Sequence, residues 1–508
     1  VAGTIKDKAG NPISGVSVSD GTRSDVTNEA GKYTITNVPP SSVTLTPTKT
    51  GIAFDPATVD VTVPPASTGN DFTAYTEFRR RFGMGLQLVA VPATPPTSSN
   101  RAVDIFGTAA VARWDASSSP QAYVFGQTSP NSSQLQVRPG AAYFVNFPRP
   151  AVTNVRIPGD PVGEVGTFSV GVSTGWNMVG NPWEVALPMG NIAGAGSTQL
   201  RPYGFIYDPS VGSYRMVTRA AAFNSARTYI EAWEGAWLRA IGADGSLMMS
   251  APGTVASAML VGADADIAAP DNGWLIDIVA RVANRADLTT VAGVGSGDAA
   301  LGYRVDNPPM IPGSVDVYFT DGSARLAHDI RPQSSTTMVW PFAVQTDIAN
   351  AEVEVALPDL SAVPADMAVY LTDLDSGKRM YARTLTAYTF TSGADGALRH
   401  FELEVSPRGA ENLAIRTASV QSAAGGMMVT YDLSSAASVS IEVLNIAGRS
   451  VRSLVQARSM PAGSNEQLWD TRNAEGTLVP NGSYLIRIEA VAENGQRVQA
   501  LRPAQIAR

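Results

Sequence analysis

Hydrophobic and polar residues alternate with a period of two along most of the chain. SVSIEVLN (438–445) and SYLIRIEA (483–490) show the pattern, and the alternating segments are short and bounded by Gly, Pro, Asn or Asp. This pattern is typical of β-strands with one buried face. No segment has the spacing of an amphipathic helix of three or more turns. The pattern therefore predicts an all-β protein, and a length of 508 residues predicts about three or four domains.

Residues 1–76 contain short strand-like segments separated by KAGNP, NEAGK and VPPSS. Glycine provides positive φ and proline fixes its own φ, so these stretches are typical of hairpin turns. The order GTI, GNPI, GV, DG, YTI, VPP and VTLTPTK resembles the carboxypeptidase regulatory-like modules. That resemblance implies a transthyretin-like β-sandwich of the kind common in bacterial surface and secreted proteins.

Residues 80–255 contain an internal repeat with a spacing of about ninety residues. The two copies span about residues 80–162 and 163–255, and each has a Trp-Asp or Tyr-Asp turn followed by a strand that begins Gly-Ala. We therefore predict a duplicated β-rich unit. The matched segments are GLQLVAVP (85–92) with GWNMVGNP (175–182), ARWDASSSPQAYVFG (112–126) with FIYDPSVGSYRMVT (205–218), VRPGAAYFVNF (137–147) with AWEGAWLRAI (232–241), and RIPG (156–159) with SAPG (250–253).

Residues 256–408 again show alternating strands, from GWLIDIVARV to RHFELEVSP. The combination of DNPP, DIRP, VWPFAV and YLTDLDSG resembles a β-sandwich region that precedes the C-terminal module in many multidomain bacterial exported proteins. The resemblance implies an architecture and no particular activity.

Residues 409–508 contain V-x-I-x-V-x-N-x-x-G-R-x-V, then P-A-G, L-W-D and N-G-S-Y. This series resembles the Ig-like domain of flagellar hook-capping proteins and the related C-terminal sorting modules of exported proteins. Together with the other regions it predicts an elongated string of Ig-like and transthyretin-like β-sandwich domains, with the duplication in the second region.

Composition and charge exclude several classes of partner. The net charge is -8, and the longest basic run is the three arginines 79–81, shorter than the basic clusters that bind phosphate backbones or anionic lipid surfaces. We therefore expect no nucleic acid partner, and no apolar run long enough to insert into a membrane is present. The chain has no cysteine, which excludes disulfides and thiolate metal sites. Because it opens directly on strand-like VAGTI without Met, we interpret Val1 as the start of a processed, exported bacterial protein.

Ser173 lies in GVSTG, which fits the G-x-S-x-G pattern of hydrolase nucleophiles. Such a serine needs a strand-to-helix turn and a positioned histidine. Gly180 and Pro182 follow closely and would break a helix, and Ser173 aligns with Gly83 in the first copy. We therefore expect no catalytic role for Ser173 and no enzymatic activity for the chain.

Metal sites have few candidate ligands. The two histidines, His328 and His400, lie apart in sequence at strand-like segments, so zinc is not expected. TDLDSGK (372–378) begins like a calcium loop but lacks the glutamate at position twelve, so we interpret it as a hairpin turn. A weak calcium site could form from three residues near a predicted domain junction, with an ordinary linker surface as the alternative. These residues are Asp264, Asp266 and Asp271. No other cofactor is expected.

Tryptophans are the candidate carbohydrate-binding residues, because their flat rings pack against the apolar faces of sugars. Trp176 aligns with Leu86, which indicates core packing. Trp237 occupies the aromatic position of Tyr143 or Phe144, which indicates the same. Trp183 and Trp233 have no such counterpart and are the carbohydrate-binding candidates.

The sequence favours a non-catalytic, extracellular or cell-surface protein with a structural or adhesive role. Self-association into a surface fibre through strand edges and terminal segments is the mechanism we expect, because edge strands with few charges can pair with another chain. The terminal candidates are VAGTI (1–5) and LRPAQIAR (501–508). Other surface proteins or a polysaccharide are the alternative partners. The alternative function is a carbohydrate-binding accessory region of a secreted enzyme.

Overall fold

The computed structural model describes residues 1–126, 135–163, 166–219, 225–253, 273–295, 304–407, 413–493 and 495–507. Strands account for 63% of the chain and helices for 2%, which confirms the predicted all-β class. The chain divides into two compact units. Unit 1 comprises Val1–Asp271, Asn284–Thr289 and Gly297–Ser314, and unit 2 comprises Asn272–Ala283, Thr290–Ser296 and Val315–Arg508.

The N-terminal part of unit 1 is a β-sandwich. One sheet has the order β3-β2-β5-β7, and the facing sheet contains β1, β4, β6 and the start of β8. Alternate residues such as Ile5, Val18 and Leu45 are fully buried between the sheets. The strands are β1 (Ala2–Asp7), β2 (Ser17–Ser19), β3 (Ser24–Val26), β4 (Lys32–Thr34), β5 (Ser41–Thr48), β6 (Ile52–Asp55), β7 (Val59–Val63) and β8 (Phe72–Ala90).

Strand β8 continues without interruption from this sandwich into the first copy of the repeat. Its start pairs with β1 and β6, and from Thr76 to Ala90 it pairs with β12. The predicted boundary between residues 76 and 80 therefore lies inside one strand. The remaining elements of this copy are β9 (Ala93–Thr94), α1 (Ala102–Phe106), β10 (Ala110–Asp115), β11 (Ala122–Gly126) and β12 (Ala142–Pro161).

The second copy forms its own sheets in unit 1. Its largest sheet has the order β14-β21-β17-β18-β19, and a smaller one has the order β13-β22-β16. A short 3-10 helix spans Met189–Asn191. The strands are β13 (Thr167–Val172), β14 (Gly175–Gly180), β15 (Leu187–Pro188), β16 (Ile192–Gly194), β17 (Thr198–Asp208), β18 (Ser213–Thr218), β19 (Ser225–Arg227), β20 (Tyr229–Ile230), β21 (Gly235–Gly242) and β22 (Gly245–Ser250).

Unit 2 begins with a large sheet of the order β31-β30-β33-β28-β26-β27-β24-β23-β29-β32, whose core includes the fully buried Trp340 and Phe401. A 3-10 helix spans Ala382–Thr384. The strands from residue 274 to residue 407, of which β25 and the first five residues of β24 belong to unit 1, are β23 (Trp274–Val282), β24 (Arg285–Gly295), β25 (Arg304–Asp306), β26 (Val315–Asp321), β27 (Ala324–Pro332), β28 (Met338–Thr346), β29 (Glu352–Ala356), β30 (Met367–Asp373), β31 (Lys378–Tyr381), β32 (Tyr388–Thr391) and β33 (Ala397–Pro407).

The C-terminal part of unit 2 is a second β-sandwich. Sheet β34-β35-β38 packs on sheet β37-β36-β39-β40, with Val429, Ile441 and Ile488 fully buried between them. The strands are β34 (Ile415–Ala423), β35 (Gly426–Leu433), β36 (Ala437–Asn445), β37 (Ser450–Met460), β38 (Gly463–Trp469), β39 (Gly482–Val491) and β40 (Arg497–Ile506).

Candidate functional site

The two predicted copies of the repeat have the same strand order. The order β8-β12-β10-β11 in the first copy corresponds to β14-β21-β17-β18 in the second. The register corresponds as well: Ala112 lies opposite Phe144, and Phe205 lies opposite Trp237. This register, rather than residue similarity, fixes which positions of the two copies are equivalent.

The copies contact each other through reciprocal backbone hydrogen bonds. The amide of Ala90 donates to the carbonyl of Trp233 over 3.0 Å, and the amide of Gly180 donates to the carbonyl of Gly140 over 2.9 Å. Ala90 and Gly180 are equivalent, as are Trp233 and Gly140, so each copy gives and receives the same bond. The two copies are therefore related by an approximate two-fold axis, as in an isologous dimer. Two isolated bridges repeat the exchange: Val89 with Glu234, and Ala141 with Val179.

Aromatic contacts at this interface follow the same exchange. The rings of Trp114 and Trp237 lie 5.4 Å apart, and the equivalent rings of Tyr207 and Phe144 lie 5.8 Å apart. Both pairs meet edge to face, the favoured geometry for aromatic contacts. Trp237 is fully buried, which confirms that it packs in the core.

The predicted aspartate turns also occupy equivalent positions. Asp115 Oδ1 accepts hydrogen bonds from the amide and hydroxyl of Ser117 over 3.0 and 2.6 Å. Asp208 accepts the same two bonds from Ser210 over 2.9 and 2.6 Å. The hydroxyl and amide of Ser117 lower the pKa of Asp115. These turns hold the hairpins β10-β11 and β17-β18.

Equivalent positions carry very different residues on either side of the axis. Gly140 and Trp233 both have positive φ, 78° and 65°. At Gly140 a Cβ would lie 2.5 Å from the ring of Phe168, so only glycine allows this approach. Trp233 instead packs its ring edge-on against Phe82, with centroids 6.1 Å apart. The two sides of the interface therefore differ in shape.

On the Gly140 side the interface leaves an open pocket of about 540 Å³. We call it the inter-copy pocket, and its polar lining includes Arg113, Asp115, Arg138 and Asp244. Its volume falls within the range of about 300–1,000 Å³ typical of small-molecule sites. Ser173 and Asn177 also line it.

The structure gives Ser173 a turn position between β13 and β14. Its amide donates to Asn177 Oδ1 over 3.0 Å, and Asn177 Nδ2 donates back to the Ser173 carbonyl over 2.8 Å. A strand follows Ser173, whereas a nucleophile elbow requires a helix there. The hydrolase geometry is therefore not present at this residue.

Trp183 and Trp233 both lie in the core of unit 1, with 5% and 3% of their surface exposed. The indole N–H of Trp183 donates to the Gly163 carbonyl over 3.0 Å, and its amide donates to Asn181 Oδ1 over 2.9 Å. Trp183 borders a pocket of about 380 Å³, but so little of either side chain is exposed that a sugar ring could not stack on it. Carbohydrate binding at these two residues stays a prediction, and it would require the rings to leave their core positions.

The predicted calcium ligands Asp264, Asp266 and Asp271 lie outside the described residues. TDLDSGK forms the hairpin between β30 and β31, as predicted. Asp373 in that hairpin is fully buried and accepts hydrogen bonds from Tyr388 Oη over 2.6 Å and from the Ser376 amide over 3.0 Å. Within the described ranges, no cluster of three potential metal-ligating side chains is found.

The two histidines occupy dissimilar positions in unit 2. His328 is buried, with 1% of its surface exposed, whereas His400 lies at the surface beside Asp375. The distance from His400 Nδ1 to the nearer Asp375 oxygen is 3.4 Å. His400 also donates its amide to Asp375 Oδ2 over 2.7 Å, so this pair fixes the neighbouring turn.

The terminal strands differ in the edges that they offer. β1 pairs with β4 through Ala2–Thr4 and with β8 through Ile5–Asp7. The amide of Thr4 donates to Asp71 Oδ1 over 2.7 Å, so β1 uses both of its edges internally. β40 pairs with β39 along its whole length, and in the described part of the chain no strand pairs with its other edge.

Two family models match parts of the chain. Residues 1–74 match the carboxypeptidase regulatory-like domain, and residues 417–494 match the FlgD Ig-like domain. The chain therefore contains these two domains, as the sequence predicted. No curated protein shows significant similarity to the chain. Among the described residues, no helix is long and apolar enough to cross a membrane.

Two solved structures show distant likenesses. The tetra-tandem repeat in the extending region of a large adhesion protein is 11% identical, covering 97% of this chain and 91% of that one, with a TM-score of 0.17. The adhesin domain of Epf from Streptococcus pyogenes is 7% identical, covering 40% of this chain and 99% of that one, with a TM-score of 0.15. At these TM-scores neither likeness carries an argument about fold or function.

Proposed function

We propose that the chain is a non-catalytic structural or adhesive protein of the bacterial cell surface. The observation that carries the proposal is the continuous β8, which joins the N-terminal sandwich to the first repeat copy without a linker. β8 pairs with β12 from Thr76–Gly159 to Ala90–Ala142, with one irregularity between Phe147 and Val152. Such a shared sheet resists extension because its backbone hydrogen bonds must break together. This is useful in a protein that spans distance at a surface.

The domain content supports the same proposal. The two matched domains are of regulatory-like and Ig-like types and not of catalytic types. At Ser173, the strand that follows replaces the helix that a nucleophile elbow needs. FlgD-type Ig-like domains favour an exported or surface location.

Single-molecule force spectroscopy tests the mechanical part of the proposal. The chain has no cysteine, so cysteines introduced at the exposed Thr22 and at the exposed Pro161, near the end of the first copy, would provide unique handles. We expect the N-terminal sandwich and the first copy to extend in one cooperative event. Thr76→Pro removes an amide from β8 where its pairing with β6 ends and its pairing with β12 begins, and should split this event in two. Two separate events in the parent chain, carrying only the two handles, would contradict the proposal.

We further propose that the chain self-associates through the edge of β40 that forms no ladder with the described residues, beside which Arg502 Nε donates to the Ala418 carbonyl of β34 over 2.7 Å, rather than through β1. β40 contains ten residues, and Leu501 in it is 41% exposed. Pro503 has no amide hydrogen and is tolerated where its nitrogen faces away from the ladder, so strand addition would use the residues before it. A second copy of the chain is the expected partner.

Light scattering and negative-stain microscopy test this association over a range of protein concentrations. We expect concentration-dependent oligomers or filaments that Leu501→Lys abolishes, because a charge on an edge strand opposes pairing. Leu398→Lys is the matched control, since Leu398 is 53% exposed but lies in β33, which has strands on both sides. A strictly monomeric wild-type protein at high concentration would refute the fibre proposal.

A further inference from the structure

The inter-copy pocket carries two guanidinium groups that have no carboxylate partner within 4.0 Å among the described residues. These belong to Arg113, in β10, and Arg138, which is exposed just before β12. The Nε of Arg113 is buried and finds no hydrogen-bond acceptor in the described part of the chain. A buried donor without an acceptor is unfavourable, so the pocket has an unmet requirement for a hydrogen-bond acceptor.

The pocket also contains two carboxylates, each of which uses one oxygen to hold a turn. Asp115 Oδ1 accepts bonds from Ser117, and Asp244 Oδ1 accepts a bond from the amide of Thr174 over 2.7 Å. The hydrogen bonds to neighbouring turns are therefore made by Oδ1 in both residues. The second oxygen of each carboxylate can accept a bond from a hydroxyl group of a ligand.

The apolar part of the lining combines small side chains with larger ones, including Trp114. Gly140, Ala141 and Ala142 line the pocket together with Val172 and Met178. Small apolar residues form a smooth surface against which the apolar face of a sugar ring can pack. The lining thus combines charged donors, carboxylate acceptors and an apolar wall.

The duplicated fold does not require these charges. By strand register, Arg113 is equivalent to Ile206 and Arg138 to Glu231. The second copy forms the same strand order with an apolar residue at one position and an acidic one at the other. The repeat therefore folds without arginine at these two positions, and only the side of the axis that forms the pocket carries both arginines.

We propose that the inter-copy pocket binds a uronic acid residue of an acidic polysaccharide. Arg113 and Arg138 would bind the sugar carboxylate, since guanidinium groups form strong charge-assisted hydrogen bonds with carboxylates. The free oxygens of Asp115 and Asp244 would accept bonds from ring hydroxyls. This inference rests on the adhesive part of the proposed function and names the class of surface ligand.

Calorimetric titration of the full chain with uronate trisaccharides tests the proposal. Trigalacturonate, triglucuronate and trimannuronate would be compared with their methyl esters, which keep the sugar and remove the charge. We expect at least one free acid to bind at least tenfold more tightly than its ester, with affinity that falls as salt is raised.

Arginine substitutions identify the site. Arg113→Gln and Arg138→Gln should each weaken binding about tenfold or more, the scale expected for a charge-assisted hydrogen bond. Arg80→Gln is the matched control, since Arg80 is exposed in β8 outside the pocket. The thermal unfolding midpoint of each variant should equal that of the wild type, which would separate lost binding from lost folding.

Three outcomes would overturn the inference: no binding of any free acid, equal affinity for acid and ester, or full affinity in both arginine variants. Binding of a glutamate-rich peptide without binding of the uronates would assign the pocket to a protein partner and equally overturn it. If uronates fail to bind while the chain still forms filaments sensitive to Leu501→Lys, only this inference is lost.

Discussion

Replacing Gly180 with alanine tests the two-fold packing of the repeat copies. Gly180 ends β14 and lies beside the axis, where its amide bonds to the Gly140 carbonyl. An added Cβ would lie 2.4 Å from the carbonyl oxygen of Ala141 and 2.6 Å from the Cβ of Ala90. Both distances are far below van der Waals contact, and one of the two atoms belongs to the backbone. The two copies must therefore separate locally to admit the methyl group.

The expected cost follows from these contacts. Overpacking a buried site costs about 1–3 kcal/mol. Weakening the bond from Gly180 to Gly140 adds about 1 kcal/mol, while replacing glycine in a strand regains about 0.5–1 kcal/mol. Together these contributions predict that Gly180→Ala lowers the free energy of unfolding of unit 1 by about 1–3.5 kcal/mol. The double variant Gly180→Ala with Ala90→Gly lacks the clashing methyl group of Ala90. We expect its loss of unfolding free energy to be about 1 kcal/mol smaller than the sum of the losses in the two single variants.

Urea unfolding, followed by hydrogen exchange of peptides covering residues 85–92 and 175–182, would measure the effect locally. Gly83→Ala is the matched control, because the nearest atom to its Cβ would be Gln87 Nε2 at 4.0 Å. We expect this control to stay within about 0.5 kcal/mol of the wild type. A Gly180→Ala variant as stable as the control, or strictly additive effects with Ala90→Gly, would refute the packing described for the axis.

Further substitutions test single features of each unit. Trp233→Ala should destabilise unit 1 by about 3–5 kcal/mol. Trp233→Gly should cost about 1 kcal/mol less, because glycine tolerates the positive φ at this position. Equal urea unfolding midpoints for the two variants would contradict this expectation. Asp306→Asn leaves Arg239, whose Nε lies 3.1 Å from the carboxylate, without its charge partner, and should cost about 2–3 kcal/mol by urea unfolding of unit 1. Burial alone would raise the pKa of Asp373, but hydrogen bonds from Tyr388 and others outweigh it, so the pKa is lowered. The ionised Asp373 therefore stabilises unit 2 above about pH 4, and this contribution is lost as pH falls through the folded pKa. Asp373→Asn should make the unfolding free energy of unit 2 less sensitive to acid. An unfolding free energy with the same pH dependence in variant and wild type would contradict this prediction.

Local patterns in the sequence determined much of the fold. Period-two alternation identified the strands, turn residues identified hairpins such as that at Asp373, and self-similarity identified the two repeat copies. The turns at Asp115 and Asp208 were predicted from the repeated Trp-Asp and Tyr-Asp pattern, and in each turn the aspartate accepts a bond from the amide of the serine two residues later. These features depend on short-range geometry, which sequence encodes directly.

Only the tertiary structure decided which faces and edges are covered. Trp183 and Trp233 lie in turns outside the strands, and the contacts that bury them come from Phe168 and Phe82 in other elements. The edges of β1 are likewise occupied by strands elsewhere in the chain. The inter-copy pocket, with Arg113 among its residues, exists because two similar copies meet across an axis whose sides differ. Cross-strand pairing and packing are non-local, so a period of two predicts a side chain's face without predicting what lies against it.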